Sequence, residues 1–435
     1  MCDMVMEKYA IGLDLGTSSA KAVLFSTQKG VVEKASAGFT YAPSYLPDGS
    51  EYLGINMEDY YGTICSTIRT LCTKIPSGAS FGGIAMASAS GNTVICDSQG
   101  NAICDGYSWL NPSMSEEIAA VFGEDFGDGV REKAGWGLAS SFPLGHLSHM
   151  RIHAPELLDS AATVCMATEY VLHRLTGKWG IDVSTATPFY ILDQKKRAWN
   201  KEYLLTLGIS EEKLPPLCEC GDLLGTVTES GASDSGLPVG SRVFLGSFDH
   251  PTAARACNIE KQGDLLISCG TSWVCFIPMN DREEIIDREL LCDPFLTPNG
   301  PWGAMFSLPR ASERMNEILE RYICSDENKF AVRDEFAESA PRGAEGLSFN
   351  PMDEIPDLSS YSKKNIARAM MEGIAKALKD SIADIMTVER ITMCGGPSTS
   401  PVWRSILADV FGVPVEITYG AHSGAVGAAM YALKD

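Results

Sequence analysis

Two stretches of the chain share one pattern of apolar and polar positions. Residues 9–25 contain an apolar strand, a short polar turn and a second apolar strand, and residues 264–277 repeat that order. Each pattern predicts a β-hairpin. The first turn is formed by Gly16, Thr17 and Ser18, and the second by Gly270, Thr271 and Ser272. The repetition indicates two similar domains, which we expect to face each other across a cleft and to hold one polyphosphate between them.

The first half of the chain continues with short strands and amphipathic helices. Residues 30–39 predict a third strand, and residues 83–87 and 93–96 predict two short ones. In residues 57–75 the apolar positions lie three or four apart, which predicts a helix with one buried stripe. Residues 115–177 predict mainly helix. Together these elements are typical of an α/β domain.

The second half combines a predicted strand, a long helix and a glycine turn. Residues 242–249 predict a strand that ends in an aspartate, and residues 364–387 predict a long amphipathic helix. Residues 391–394 predict a strand, followed by a tight glycine turn and a helix that runs to residue 411. Small residues at 425–432 predict a closely packed helix. Residues 278–362 show weak periodicity apart from 311–322, and we predict no organisation for them.

Length and charge set limits on the function. The 435 residues are 45% hydrophobic, which is enough for two cores, and we expect domains at 8–247 and 248–435. Lysine and arginine total 35 against 56 acidic residues, a formal charge of -21. This balance argues against nucleic acid or an anionic membrane as a partner. It leaves room for a local ATP site, since magnesium and backbone amides receive phosphate without a basic surface.

The chain shows no long apolar run and no signal-peptide pattern, so we expect a cytoplasmic protein. Its 14 cysteines are scattered through apolar runs, where reduced cysteine behaves as a small hydrophobe. We therefore expect no disulfide. Among macromolecules, the expected partner is a second copy of the chain, in a homodimer.

Several glycine turns are candidates for binding a nucleotide. A backbone that turns at glycine beside Thr and Ser hydroxyls supplies converging donors for phosphate oxygens. For either of the two hairpin turns alone, an ordinary hairpin is the favoured explanation, and their recurrence favours a nucleotide. At Gly395 and Gly396 an adenine or ribose could lie against the backbone, with Ser400 capping the next helix. The alternative there is a plain connection between strand and helix.

Two aspartates are candidates for the chemistry. Asp14 lies just before the first turn, where a carboxylate could hold magnesium against the phosphates. Asp249 ends a predicted strand, where it could accept the proton of an attacking hydroxyl. Because Asp249 stands two residues before Pro251, it could equally cap a helix. The residues themselves leave both roles of Asp249 open.

Longer motifs resemble the FGGY carbohydrate kinases, a family on the actin-like ATPase fold. Residues 14–21 resemble the phosphate motif of that wider superfamily, and residues 395–415 closely resemble the adenosine segment of the family. Residues 175–186 and 236–254 resemble further family motifs in the right order. The resemblance implies an α/β fold of two actin-like (ribonuclease H-like) domains, each with a mixed sheet flanked by helices.

The same resemblance implies an ATP-dependent kinase that transfers the γ-phosphoryl group to a sugar or polyol hydroxyl. It places Asp249 at the catalytic base, with Asp14 and Asp249 at Mg²⁺ and the three glycine turns at ATP. Such a transfer depends on positioning and charge neutralisation more than on covalent chemistry. The closest match among family motifs is to xylulose kinases, so a ketopentose such as xylulose is the first candidate substrate.

The substrate side departs from the family pattern. The positions that the resemblance assigns to the sugar are Asn92, Trp109, Asn111, Asp249 and His250. An amide at Asn111 stands near the usual carboxylate, and His250 replaces a common glutamine. These changes support an alternative, an actin-fold ATP-binding protein with altered catalysis and a regulatory or scaffold role. Retention of Asp249 favours the kinase.

Three histidines, His146, His149 and His153, have the spacing of one helical face. This spacing raises the idea of a metal site. The family resemblance implies an ordinary helix at this point, so we favour surface or cleft-facing histidines there.

Overall fold

A computed structural model describes residues 7–270 and 272–434 and divides into two compact units. The first unit runs to Ala256 and also includes Arg282–Pro298 and the chain from Gly424. The second unit comprises Cys257–Asp281 and Asn299–Ser423. The two units are described separately below.

The strands, in chain order, are β1 (Lys8–Leu15), β2 (Ser19–Ser26), β3 (Gly30–Gly38), β4 (Ala42–Tyr45), β5 (Glu51–Ile55), β6 (Ser80–Ser88), β7 (Val94–Cys96), β8 (Gly106–Tyr107), β9 (Thr163–Cys165), β10 (Ile181–Asp182), β11 (Leu192–Asp193), β12 (Ala198–Trp199), β13 (Leu217–Cys218), β14 (Leu223–Thr226), β15 (Arg242–Phe244), β16 (Asp264–Cys269), β17 (Trp273–Met279), β18 (Leu291–Asp293), β19 (Trp302–Leu308), β20 (Arg390–Gly395) and β21 (Val415–Ile417).

The helices are α1 (Met57–Cys72), α2 (Ser115–Phe122), α3 (Val130–Ala134), α4 (Pro143–His153), α5 (Pro155–Ser160), α6 (Ala167–Thr176), α7 (Lys201–Leu207), α8 (Glu229–Ser235), α9 (Asp249–Ala256), α10 (Arg282–Asp287), α11 (Ala311–Ile318), α12 (Lys329–Ser339), α13 (Lys363–Ile382), α14 (Pro401–Phe411) and α15 (Ser423–Ala432).

The main sheet of the first unit is mixed. Its central strand β1 pairs antiparallel with β2, which pairs antiparallel with β3. On the other side β6 lies parallel to β1, and β15 lies parallel to β6. The resulting order is β3-β2-β1-β6-β15, with β14 antiparallel at the β15 edge. The hairpin that holds residues 16–18 therefore lies at the centre of this sheet.

Five strands of the second unit repeat this arrangement. Strand β16 pairs antiparallel with β17, and β17 pairs antiparallel with β19. Strand β20 lies parallel to β16, and β21 lies parallel to β20. The order β19-β17-β16-β20-β21 matches that of the first sheet strand for strand. Two such sheets are what the ribonuclease H-like domains of the actin-like fold require, so the predicted fold class is confirmed.

The first unit includes the C-terminal helix, although the sequence led us to expect continuous domains at 8–247 and 248–435. The reason is close packing of small residues. A Cβ atom on Gly12 in β1 would lie 1.9 Å from the carbonyl oxygen of Ala425 in α15. A Cβ atom on Gly427 would lie 2.0 Å from the carbonyl oxygen of Thr252 in α9. Helix α15 thus lies directly on β1 and α9 through glycine contacts.

Most helix predictions agree with the structure. The helix predicted at 57–75 is α1, which begins after the cap Asn56 and buries the expected stripe of Tyr60, Ile64, Ile68 and Leu71. Burying each such side chain contributes about 1.5–3 kcal/mol, which explains why this stripe orients the helix. The long helix predicted at 364–387 is α13 and ends earlier, at Ile382. The region 115–177 is mainly helical but also contains the strand β9.

Two further findings bear on the expected class of protein. None of the helices in the described part of the chain is long and apolar enough to cross a membrane. The cysteines in the described part of the chain form no disulfide with one another.

Candidate active site

The turn between β1 and β2 leaves its backbone open. The Gly16 amide donates to the Ser19 carbonyl oxygen at 3.1 Å, and the Tyr41 hydroxyl donates to the Thr17 carbonyl oxygen. A Cβ atom on Gly16 would meet nothing closer than the Ser19 carbonyl oxygen, at 3.5 Å. The protein itself therefore tolerates a side chain at Gly16. Because packing does not require glycine here, the glycine fits a turn whose backbone is approached closely by a ligand.

The turn between β16 and β17 has the same length and also begins with a glycine. The Gly270 amide donates to the Ser272 carbonyl oxygen at 3.1 Å, and a Cβ atom on Gly270 would lie 3.4 Å from that same oxygen. Behind the turn, the Ser312 hydroxyl donates to the Gly270 carbonyl oxygen at 2.6 Å. Thr271, predicted to bind phosphate, lies outside the described residues. In both hairpins, therefore, a side-chain hydroxyl from elsewhere in the same unit donates to a carbonyl oxygen of the glycine turn.

Asp14 is a carboxylate in an unusual electrostatic setting. It lies on β1 opposite Lys21, and a Cβ atom on Gly424 would come within 2.7 Å of its Oδ2. Burial and, to a smaller extent, the charge of Asp249 raise the pKa of Asp14 to about 7, while Lys21 lowers it. A divalent cation would relieve this repulsion.

Asp249 lies at the beginning of α9, so the prediction that it ends a strand is wrong. Strand β15 ends at Phe244, and the chain continues close to β6, where a Cβ atom on Gly246 would lie 1.9 Å from the Met86 carbonyl oxygen. The Asp249 Oδ1 accepts a hydrogen bond of 2.6 Å from the His250 amide. Its side chain keeps about 25% exposure. Asp249 is therefore a helix-initiating residue with a solvent-accessible carboxylate.

A buried serine and aspartate hold the backbone just before Asp249. The Ser184 hydroxyl donates to Asp293 Oδ2 at 2.7 Å and accepts from the Phe248 amide at 3.1 Å. The Asp293 side chain is fully buried, and burial above all raises its pKa to about 8. Its Oδ1 has no hydrogen-bond partner among the described residues. Sequence reasoning missed Asp293, because it lies in the weakly periodic region 278–362.

Aromatic rings line the approach to Asp249 in the first unit. The rings of Trp109 and Phe142 lie 5.9 Å apart, and those of Phe142 and Trp136 lie 6.4 Å apart. Trp136 contacts Phe248 at 5.2 Å, and Phe248 contacts His250 at 5.6 Å. This continuous wall connects the predicted substrate residue Trp109 to His250. Aromatic faces of this kind suit the apolar face of a sugar ring.

The protein itself occupies the Asn111 amide and the oxygen of the Asn92 amide. Asn111 is buried; its Oδ1 accepts from the Leu53 amide at 2.7 Å, and its Nδ2 donates to the Leu53 and Ser108 carbonyl oxygens. Asn92 is half-buried, and its Oδ1 accepts from the Trp109 amide at 3.1 Å. The Trp109 Nε1 atom is buried and has no hydrogen-bond partner among the described residues. Asn111 and the Asn92 oxygen thus hold the loop of Trp109.

The second unit contains a cavity of about 480 Å³ beside the third glycine turn. It is lined on one side by Gly396, Pro397, Thr399 and Ser400 and on the other by residues of α11 and α12, among them Ser312, Phe330 and Arg333. A Cβ atom on Gly396 would meet no atom within 4 Å, so the glycine leaves open space. Gly395 differs, because its φ of +88° and a Cβ contact of 2.2 Å with the Cys269 carbonyl oxygen exclude any side chain.

The helix after this turn has the predicted boundaries. Ser400 Oγ accepts from the Trp403 amide at 3.2 Å, and α14 runs from Pro401 to Phe411 before Gly412 in the left-handed region. Arg333, which the sequence did not reveal, is buried against the Trp403 ring and forms an ion pair of 2.7 Å with Asp334. A cation packed on an aromatic ring gives this cavity a rigid wall.

Comparison with known proteins places these features in a family. Residues 9–255 match the N-terminal domain, and residues 335–434 the C-terminal domain, of the FGGY family of carbohydrate kinases. A xylulose kinase from Bacillus subtilis is 25% identical over 98% of this chain and 88% of that protein. An autoinducer-2 kinase from Klebsiella pneumoniae is 25% identical over 98% of this chain and 85% of that protein.

The fold agrees with a solved structure of the same kind. The crystal structure of a xylulose kinase from Rhodospirillum rubrum superposes with a TM-score of 0.83 at 24% identity, covering 97% of this chain and 89% of that one. The two domain matches together span more than half of the residues. The chain therefore belongs to the FGGY family of carbohydrate kinases and is, as the motifs implied, an ATP-dependent carbohydrate kinase.

Proposed function

We propose that this kinase transfers the γ-phosphoryl group of ATP to a hydroxyl of a sugar or polyol, with Asp249 as the general base. The observation that carries the proposal is the pairing of Asp249 with Asp14 in one electrostatic site. Asp249 also stands at the end of the aromatic wall that begins at Trp109. A substrate packed on that wall would present a hydroxyl near a carboxylate able to accept its proton.

Each unit, taken by itself, contains elements suited to a nucleotide. The turns at Gly16 and Gly270 offer backbone amides and hydroxyls to phosphate oxygens. The cavity at Gly396 has room for an adenosine, with Ser400 and Pro401 setting the helix that borders it. Ser312 lines this cavity and also bonds Gly270, so one side chain connects the proposed adenosine and phosphate elements of the second unit.

The donor set also fits Mg²⁺. The Asp14 carboxylate accepts no hydrogen bond from the described residues, and Mg²⁺ prefers such oxygen ligands. When bound, the ion would neutralise charge on the transferred phosphoryl group. Asp14 would hold it, with Asp249 alongside. Asp249 would in addition take the proton from the acceptor oxygen as its bond to phosphorus forms.

Which individual sugar or polyol this kinase phosphorylates stays a prediction. The similar proteins are named for xylulose, gluconate and autoinducer-2, which differ in charge and chain length. Xylulose is the first candidate. Because Asn111 and the Asn92 oxygen hold the loop, we assign the polar contact to the half-buried Asn92 through its Nδ2 atom and the ring contact to Trp109. Cytoplasmic location and a homodimer also stay predictions, the latter to be tested by light scattering.

To test the proposal, the protein is incubated with ATP, Mg²⁺ and each member of a panel of ketoses, aldoses, sugar acids and polyols. The release of ADP is then measured for each acceptor. We expect one class of acceptor to stimulate ADP formation well above the rate without acceptor. Asp249→Asn should remove nearly all of this turnover and leave ATP affinity within about twofold, whereas the surface variant Asp159→Asn should behave as wild type. ATP binding with no acceptor-dependent ADP would instead support the regulatory or scaffold role.

A further inference from the structure

A group of metal-binding side chains lies in the first unit, apart from the candidate active site. Glu117 of α2 and His149 and His153 of α4 each offer one ligand atom, and these atoms all lie within 4.8 Å of one another. The two histidines are four residues apart on one helix and therefore share a face. Their rings lie 4.5 Å apart at an angle of 39°. None of these residues contributes to the turns, the aromatic wall or the cavity described above.

The Nδ1 atom of each histidine already lies within hydrogen-bond distance of another side chain. His153 Nδ1 lies 2.9 Å from Asp48 Oδ2 and 2.9 Å from Ser50 Oγ. His149 Nδ1 lies 3.1 Å from the Tyr107 hydroxyl. A hydrogen bond at Nδ1 orients the ring, and donation from Nδ1 to a carboxylate leaves the Nε2 lone pair for a metal. The pair of His153 and Asp48 is the arrangement in which a carboxylate supports a metal-binding histidine.

The third group is an unengaged carboxylate. Glu117 is half-buried and makes no hydrogen bond or ion pair with any other residue of the described ranges 7–270 and 272–434. His149 is buried. The cluster therefore combines two imidazoles with a carboxylate that has no competing partner, and both are ligand types that bind transition-metal ions.

We propose that Glu117, His149 and His153 form a site for a divalent transition metal, with zinc as the best match. Two imidazoles and one carboxylate suit Zn²⁺ better than Mg²⁺ or Ca²⁺, which prefer oxygen ligands. Three protein ligands leave the fourth tetrahedral position to water. Zinc bonds of about 2.0–2.2 Å require ligand atoms closer than those of the free site, so the three side chains would draw together by about 1 Å. Asp48 is the positioning residue of the site.

A bound ion would join two helices and a loop. Glu117 belongs to α2, the histidines to α4, and Asp48 to the loop between β4 and β5. Tyr107, which contacts His149, stacks on Tyr52 of β5 with ring centroids 3.8 Å apart. Since metal binding to the native state alone stabilises that state, zinc should raise the melting temperature.

The test uses the full-length protein, stripped with a chelator and titrated with Zn²⁺ or Co²⁺ alone. We expect one ion per chain, a raised melting temperature, and a visible cobalt spectrum of tetrahedral type without a thiolate charge-transfer band. Glu117→Gln and His153→Gln should each abolish the stoichiometric ion, and Asp48→Asn should weaken affinity about 10- to 100-fold. His173→Gln, which changes a histidine of α6 that stacks on Trp179, is the matched control.

The outcomes separate the proposal from its alternatives. Variants at Glu117 and His153 that fold as wild type and lose the ion support the site. Binding that persists unchanged in both variants, or a cobalt spectrum dominated by thiolate bands, overturns it and assigns the ion to cysteines. Absence of stoichiometric zinc from wild type overturns it as well. Circular dichroism of each metal-free variant distinguishes loss of the site from loss of the fold.

Discussion

The Ser184 hydroxyl donates to the buried carboxylate of Asp293 and accepts from the Phe248 amide, one residue before Asp249. The sequence does not predict this contact, because Ser184 and Asp293 are 109 residues apart. It fixes the point at which the backbone turns into α9. The proposed base therefore depends on a fully buried hydroxyl.

Removing the Ser184 hydroxyl should lower kcat, because it releases the backbone just before the proposed base. We expect Ser184→Ala to reduce kcat about 10- to 100-fold, because small displacements of a catalytic group are costly, with the KM for ATP nearly unchanged. Ser184→Thr, which retains a hydroxyl, should restore part of the loss. Steady-state kinetics with the best acceptor provides the measurement.

The control for this prediction is Ser235→Ala, which removes the hydrogen bond of another fully buried serine, to the Gly231 carbonyl oxygen. It should lower the melting temperature and leave kcat unchanged. Equal kcat losses in the two variants would contradict a positioning role for Ser184.

Two glycines of the first hairpin should respond in opposite ways to alanine. Gly12→Ala places a methyl group against the α15 backbone, so we expect a loss of about 3 kcal/mol or more in the free energy of unfolding. Gly16→Ala meets no such contact and should fold normally, but it should raise the KM for ATP or lower kcat about tenfold.

Denaturant unfolding and ATP kinetics on both variants check this pair. A Gly16→Ala enzyme with wild-type kinetics would remove the turn from the proposed phosphate site. A Gly12→Ala protein of wild-type stability would contradict the packing described for β1 and α15.

The open space at Gly396 gives a direct test of the adenosine cavity. Gly396→Leu should fold normally, because no atom lies within 4 Å of the added Cβ, and the side chain should occupy the cavity. We expect the KM for ATP to rise at least about tenfold, equivalent to ~1.4 kcal/mol, with little change in the KM for the acceptor.

Gly62→Leu is the matched control, since Gly62 in α1 also has no atom within 4 Å of an added Cβ and belongs to the first unit. Its kinetics should equal those of wild type. A normal KM for ATP in Gly396→Leu would assign the cavity to something other than adenosine.

A buried carboxyl in α6 should make stability depend on pH. Burial above all, and then the charge of Asp182, raises the pKa of Glu169 from 4.5 to about 8. A raised pKa means that the folded state binds the proton more tightly than the unfolded state. The resulting stabilisation is complete below pH 4.5 and is lost as pH rises toward 8, at up to about 1.4 kcal/mol per pH unit.

Glu169→Gln should flatten that slope, because the amide stays neutral and its oxygen can still accept from the Met166 amide, as the carboxyl does at 3.2 Å. Urea unfolding at several pH values between 5 and 8 measures the effect, with the exposed Glu156→Gln as control. The same slope in wild type and Glu169→Gln would show that Glu169 does not titrate in this range.

Local pattern was sufficient for the hairpins, the long helices and the glycine turns. Apolar periodicity located α1 and α13, and the Ser400, Pro401 and Gly412 signals located both ends of α14. These features depend on contacts between residues near in sequence, where side-chain type and spacing determine the outcome. The two hairpin turns were recognisable for the same reason.

Tertiary structure decided what depends on residues far apart in sequence. The sequence alone determined a two-sheet fold with glycine turns and candidate carboxylates. Only the structure showed that β15 ends at Phe244 and that Asp249 begins a helix. Likewise, only the fold showed that Asn111 is committed to the backbone of Leu53 and that Asp293 supports Ser184. The residue type in a sequence does not show whether the donors and acceptors of a polar side chain are already used by the protein. Its partners come from distant segments and are set only when those segments pack together.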